Sequence, residues 1–500
     1  MNHGSIKTTL LFTAAVLGFA PPTAAAEGYV SASSDVQLYD VPNPYGTRSL
    51  RIRRATHTLG LRVYDLLDRL PGAPELLFVT RLRLDADYGV GSTEVDPTRR
   101  DSYVPGLEED PIDLMYGYLE GRSWLGGWLG FRLGRQYVTD ALGWWSFDGS
   151  LVRVTTGTPL AFEVYGGFEQ RGGLPLLATS RFTADGVQRG SRRDLEANQW
   201  PSYLEEERPA PAYGFAVEAV DLRWLSARVS YRRVINRDSA IITMFPDRPD
   251  TFEVVREPRV SSERLGGTAV LTSPALGSID GTVVYDLYRQ RYSEHGVGVT
   301  WLTAPRVTLA ARYDYSLPTF DGDSIFNWFS AQGMTTATVD ATWTLGRHTE
   351  LGGSFGGRRF TTEDASTATA ASESATEADA APGAIDALGS LAGRYWWPQG
   401  DVELHSVGEA GDGGHRLGTD LTVRRGFAGG FYDTLATISL YDWRDDLRPG
   451  RSATSFTYVL GGGLHPSAGS RIGLEWEHTT NQIVGQRVRL LATIAFRVAP

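Results

Sequence analysis

Apolar and polar residues alternate with a period of two along nearly the whole chain, the signature of strands with one buried and one wet face. In the segment 76–88, Leu76, Phe78, Leu82, Leu84 and Tyr88 share one face, while Arg81, Arg83, Asp85 and Asp87 share the other. Val307, Leu309, Ala311, Tyr313 and Tyr315 alternate with Arg306, Thr308, Arg312 and Asp314. Ala337, Val339, Ala341, Trp343 and Leu345 oppose Thr336, Thr338, Asp340, Thr342 and Thr344. Near the end of the chain Val488, Leu490, Ala492, Ile494, Phe496 and Val498 oppose Arg487, Arg489, Thr493 and Arg497.

Two-sheet sandwiches alternate in the same way, so three further features decide the architecture. The alternating segments run roughly 10–15 residues, longer than the usual five or six of globular strands and long enough to cross a bilayer, which takes about 9–11. Short turns at Leu125–Gly127, Gly157–Pro159, Leu222–Leu225, Ser273–Leu276, Thr303–Pro305, Gly346–His348, Pro398–Gly400, Gly426–Gly429 and Pro466–Gly469 interleave with longer loops. The loops are read at Gly89–Pro111, Thr139–Gly149, Glu169–Pro211, Ile235–Pro258, Ser316–Gln332 and Thr361–Ile385, with one anomalously short connection at Arg291–Glu294. Such asymmetry belongs to outer-membrane barrels, with short turns on one side and long loops on the other. Finally, Trp124, Trp128, Trp224, Trp301, Trp343, Trp396 and Trp397 stand beside the short turns, as an interfacial aromatic girdle requires. The prediction is an all-β fold, a single transmembrane antiparallel up-and-down barrel of about 22 strands, within a range of roughly 18–24. Its first strand is Tyr29–Leu38.

The leader is set apart by composition. Lys7, the apolar run Leu10–Ala20 and the small-residue stretch Ala24–Ala26 read as a signal peptide over residues 1–26, leaving 27–500 as the barrel. Lys7 is the only lysine, so every later cation except histidine is arginine. With no cysteine in 500 residues, disulfides and thiolate-held metals are excluded. The formal charge of −11 argues against a nucleic-acid partner. His3, His57, His295, His348, His405, His415, His465 and His478 form no metal-ligand spacing. No catalytic set, cofactor fingerprint or metal motif is found, so the expectation is a chain that is not an enzyme and needs no cofactor. Gly352–Gly353 and Gly461–Gly463 read as bends or bulges in the wall. The run Thr361–Ile385 is low in complexity and acidic, through Glu363, Asp364, Glu373, Glu377 and Asp379, and reads as an external loop. The connection Glu169–Pro211, with Arg189, Arg192, Arg193, Glu205, Glu206 and Trp200, is the candidate gate.

The polar rows carry the candidate chemistry. Arg81, Arg83, Asp85, Arg228, Arg232, Arg306, Arg312, Asp314, Asp340, Asp420, Arg424, Glu475, Arg487 and Arg489 are expected to line a lumen; Asp87, Arg471, Glu477 and Arg497 share those rows. A dry core would not hold so many charges, since desolvating each costs several kcal/mol. Their excess of arginine favours anions, while acidic segments such as Glu94–Asp113 would oppose them at the mouth.

Two local resemblances agree with this. The segment Arg489–Phe496 resembles the C-terminal assembly signal of bacterial outer-membrane barrels, with Leu491 where that signal has glycine. Gly130-Phe131-Arg132-Leu133-Gly134-Arg135-Gln136, followed by Trp144, Trp145 and Phe147-Asp148-Gly149, resembles a segment of porin-like barrels, including the alginate-export type. The resemblance implies a porin-like wall and, with the strand pattern, an integral protein of the outer membrane of a Gram-negative-type bacterium. Since about 22 strands enclose more space than side chains fill, the expected function is a porin-like channel for small hydrophilic solutes. Its partners would be outer-membrane lipid, the barrel-assembly machinery and the solutes, with room for a homo-oligomer or a periplasmic partner. The alternative is a scaffold sheathing a partner protein or an electron-carrier conduit.

Overall fold

The structure is a computed structural model that describes residues 28–42, 49–64, 66, 74–87, 112–169, 210–245, 248–319, 332–362, 385–411, 413–446, 451–482 and 485–498. The leader expected over 1–26 lies outside these residues. So do 88–111, 170–209 and 363–384, which hold most of the acidic segment, the candidate gate and the low-complexity loop.

Twenty-two strands follow one another. They begin with β1 (Gly28–Pro42), β2 (Ser49–Val63), β3 (Glu75–Asp87), β4 (Ile112–Ser123), β5 (Leu129–Asp140), β6 (Gly143–Thr155) and β7 (Leu160–Glu169). Next come β8 (Ala210–Ala219), β9 (Leu225–Phe245), β10 (Arg248–Ser273), β11 (Gly277–Asp286), β12 (Arg291–Ala304), β13 (Val307–Ser316) and β14 (Gln332–Leu345). The ring is completed by β15 (Thr349–Thr362), β16 (Ile385–Trp397), β17 (Gly400–Gly411), β18 (Gly414–Phe427), β19 (Tyr432–Asp445), β20 (Arg451–Leu464), β21 (Ser470–Asn481) and β22 (Gly485–Val498). Each strand pairs antiparallel with the next, and β1 closes on β22 from Val30↔Val498 to Tyr39↔Arg489. Closure removes both sheet edges, which is how a β-fold satisfies its backbone in lipid. No helix among the described residues is long and apolar enough to cross a membrane.

Two expected loops are strands. The segment read at Thr139–Gly149 is the tip of a β5–β6 hairpin whose turn is only 141–142, and Ile235–Pro258 is mostly the pairing of β9, which ends at Phe245, with β10, which begins at Arg248. Polar and proline-bearing sequence reads as loop, but a strand that continues past the rim needs no apolar face. The connection placed at Arg291–Glu294 falls instead at 287–290, and β12 starts at Arg291. Gly352–Gly353 and Gly461–Gly463 neither bend nor bulge; they pair in unbroken register with β14 and β19.

Register partners in adjacent strands share a sheet face. Followed from strand to strand, the assignment passes Arg358↔Asp386, Glu409↔Arg416, Thr493↔Asp35, Arg83↔Thr58, Arg228↔Glu218 and Asp314↔Thr336, and returns to its start without conflict. One face of the closed sheet is thus charged and hydroxylic all round. The other carries Leu82, Leu309, Tyr313, Trp343, Leu490, Ile494 and Phe496. On that apolar face Phe355 and Leu391 are 73% and 70% exposed, so none of the described residues covers them. Trp301, Trp343 and Trp397 occupy it at the short-turn end, whereas Trp396 shares the row of Asp401 on the polar face.

Candidate functional site

The polar face is an array of ion pairs that span neighbouring and next-neighbouring strands. Arg228 reaches Glu163 at 2.5 Å and Glu218 at 3.4 Å, and Arg153 joins Glu218 at 2.6 Å. Arg358 bridges Asp386 at 3.0 Å and also Glu409. Arg424 holds Asp401 at 2.9 Å and Glu403 at 3.3 Å. Arg312 meets Asp314 at 2.7 Å and Asp280 at 3.4 Å. Arg489 pairs with Glu477, and Arg471 with Asp433 at 3.0 Å. Pairs such as Arg358–Glu409 and Arg312–Asp280, two strands apart, fit side chains that converge on the concave side of a closed wall.

The sequence-predicted residues distribute as follows. Arg81, Arg83, Arg228, Arg232, Arg312, Asp314, Asp340, Asp420, Arg424, Glu475, Arg487 and Arg489 occupy this face by register, and Asp85 holds a position in the same row of β3. Arg306 does not; it stands in the turn between β12 and β13. The sequence reading missed Glu120, Glu163, Glu218, Asp280, Asp386, Asp401, Glu403, Glu409 and Asp433, all partners of arginine here. The signal was present, since each sits at the alternation parity of its strand's polar row. With them and the arginines that hold them, Arg122, Arg132, Arg153, Arg358 and Arg394, added, charges on the polar face come close to balance.

One element breaks the ring. The strand β5 pairs with β4 only from Gly117↔Arg135 to Gly121↔Phe131, and β6 pairs with β7 only as far as Phe147↔Glu169. Beyond that row, Tyr137–Asp140 and Gly143–Ser146 pair only with each other. Glycines occupy the row where the hairpin departs, with Gly134 opposite Gly149 and Gly149 opposite Gly167. At Gly134 φ is +124°, a region closed to other residues. A Cβ on Gly134 would lie 2.4 Å from the Gly117 carbonyl oxygen, and one on Gly149 2.1 Å from that of Gly166. Arg135 staples the bend, donating from Nε and Nη2 to the two Asp148 oxygens at 2.7 and 2.9 Å and from Nη1 to the Leu114 carbonyl at 3.0 Å.

The tip folds over the polar face. Val138, Trp145 and Phe147 join Leu151, Tyr165, Ala210, Ala212 and Val234 in an apolar cluster against β7–β9. Burial of side chains this size contributes about 1.5–3 kcal/mol each, which offsets the lost wall pairing. At the turn, Leu142 is buried and its carbonyl accepts from Arg232 Nη2 at 2.8 Å. The Arg232 guanidinium also lies 5.3 Å from the Trp145 ring centre. A Cβ on Gly266 of β10 would sit 2.6 Å from Leu142 Cδ2 and 3.2 Å from the Ala141 Cβ, so the turn is seated directly over Gly266 and a side chain there would have to turn the end of Leu142 aside. On the tip's far side Tyr137 stacks on Trp144 at 4.2 Å and meets Tyr116, from the polar face of β4, at 5.7 Å. The motif Gly134-Arg135-Gln136 … Phe147-Asp148-Gly149 is therefore the bend itself. Among the described residues no group of acidic or histidine side chains could hold a metal ion.

No family model matches the chain, and no curated protein matches it. Among solved structures it is similar to OccAB4 of Acinetobacter baumannii, at 6% identity and a TM-score of 0.42, covering 95% of this chain and 99% of that one. It is similar also to OpdK of Pseudomonas aeruginosa, solved with vanillate, at 9% identity and a TM-score of 0.42 over 95% and 99% of the two chains. OccK9 of Pseudomonas aeruginosa gives 8% identity and a TM-score of 0.42, over 95% and 98%.

Proposed function

We propose that this chain is a porin-like channel of the bacterial outer membrane, through which small hydrophilic solutes pass along the charged interior. The observation that carries the reading is the closed 22-strand wall with an apolar face left bare and a charged face all round. A wall of 22 strands spaced about 4.8 Å apart and tilted encloses a radius of about 20 Å, more than side chains fill. Exposed apolar rows bounded by aromatics suit lipid, and the charged rows then line water, where ion pairs set a field across the path. In this reading residues 1–26 are the export signal. Arg81, Arg83, Asp85, Arg228, Arg232, Arg312, Asp314, Asp340, Asp420, Arg424, Glu475, Arg487 and Arg489 line the lumen, and the β5–β6 tip narrows it. The near balance of fixed charge favours weak selectivity, with an anion preference set locally where Arg232 and its register partner Arg264 stand at the seat of the tip. Liposomes carrying the purified chain should swell in isotonic solutions of neutral sugars and of small carboxylate salts. No swelling with any solute would remove the channel reading and favour a sheath around a partner.

A further inference from the structure

We propose that the β5–β6 tip is a gate held shut by Arg232, and that a small oxyanion bound between Arg232 and Arg264 opens it. The proposal rests on the channel reading above. Three features make the tip displaceable. Past the glycine row it pairs, among the described residues, with no strand except its own mate, so swinging it breaks no backbone hydrogen bond between strands of the wall. The row Gly134–Gly149–Gly167 provides the line on which it turns. Its seat at the far end is Leu142 and Ala141 over Gly266 and the Arg232 hydrogen bond; nearer the glycine row Val138 and Trp145 pack on Tyr165 and Val234, and Trp145 Nε1 donates to Glu169, contacts that opening must also break.

The latch is poised for an anion. Arg232 and Arg264 are direct register partners on β9 and β10, and like charges placed directly opposite destabilise a sheet. Arg232 is 7% exposed, yet its hydrogen bond runs to a neutral backbone carbonyl, and its Nη1 is buried without a hydrogen-bond partner. Arg264 Nε is likewise buried and unpartnered. Asp286 stands opposite Arg264 in register on β11 and accepts from the Arg289 backbone N–H at 2.9 Å, so it is partly engaged. Glu169 accepts from Trp145 Nε1 at 2.9 Å, and Asp140 Oδ1 from the Leu142 N–H at 2.9 Å. Asp140 Oδ2 is buried without a hydrogen-bond partner, yet among the described residues neither Arg232 nor Arg264 forms an ion pair, and the hydrogen bond of Arg232 goes to a neutral acceptor. A carboxylate or phosphate oxygen is a stronger acceptor than a carbonyl and can take two guanidinium donors at once. Bound there, it displaces the Leu142 carbonyl from Arg232, and the tip loses its latch.

The absence of cysteine allows a direct test on the full chain. An ideal Cβ on Gly266 lies 3.2 Å from that of Ala141, near the spacing of about 3.5–4.5 Å that a disulfide uses. Single-channel conductance in chloride is recorded with and without acetate, and separately with inorganic phosphate, for the native chain, the pair Ala141→Cys with Gly266→Cys, Arg232→Gln and Arg264→Gln. Heat-dependent gel mobility confirms that each barrel is folded. The proposal expects either anion to raise native conductance several-fold. The oxidised pair should stay at the low level with either anion and recover the response on reduction. Arg232→Gln should be open without anion, and Arg264→Gln should lose the response. A response to acetate alone or phosphate alone identifies the oxyanion and supports the gate. Conductance and anion response unchanged in the oxidised pair and in Arg264→Gln would overturn the gate while leaving the channel standing. Silence of every form, native included, would overturn the channel reading and the gate with it.

Discussion

At the scale of single residues, each strand position has a side, and the side decides what a substitution costs. Leu309 stands on the apolar face and Thr308 on the polar one, one residue apart in β13. Arginine at Leu309 should destabilise the barrel by about 2–4 kcal/mol, as at the middle of a membrane wall, while arginine at Thr308 should cost little. Equilibrium unfolding in lipid vesicles checks the pair, and equal effects would void the face assignment. Glu163 is nearly buried between Arg228 and Arg153. Glu163→Gln should cost about 3 kcal/mol, because it strands a half-buried guanidinium, less whatever Glu218 recovers. Two glycines make a further contrast. Gly149→Ala drives a methyl to 2.1 Å from a carbonyl oxygen and should cost about 1–3 kcal/mol. Gly462→Ala meets nothing nearer than 3.6 Å and should be neutral. Faces were legible in the sequence because alternation encodes them directly. The roles of these glycines were not: Gly461–Gly463 looked like the bend, and the isolated Gly134 and Gly149 supply it. Only register places those two opposite each other.

At the scale of the element, the hairpin β5–β6 shows where pattern reading stops. Its sequence alternates like any strand as far as Asp148, then mixes Trp144, Trp145 and Phe147 so that both faces are apolar. In a wall this would put Trp145 and Phe147 into water. Folded over, they meet Tyr165 and Val234, contacts between residues far apart in the chain that a local pattern does not carry. The same limit explains β9 and β10, where continued pairing rather than composition makes strand out of polar sequence. The tip narrows the path in this account, so shortening it between Gly134 and Gly149 should raise conductance more than deleting 170–209. The reverse ranking would return the constriction to that connection.

At the scale of the whole molecule, strand number, antiparallel order and closure followed from alternation, segment length and turn spacing, because those are repeated signals that errors at single edges do not erase. Charge was harder to read. The arginines announce themselves on the polar rows, but their carboxylate partners sit on other strands, and the apparent arginine excess fades once Glu163, Glu218, Asp386, Glu409 and Asp433 are in place. What remains is a near-neutral path with a local cationic cluster at the tip, while the chain as a whole is acidic. Mild anion preference should follow, growing with ionic strength as the acidic segments outside the strands are screened. The most direct test is single-channel recording of the purified chain in a planar bilayer across a salt gradient. The account predicts stable current steps with a reversal potential shifted modestly toward that of the anion. A silent bilayer, or a clear cation preference that persists after residues 363–384 are removed, would contradict it.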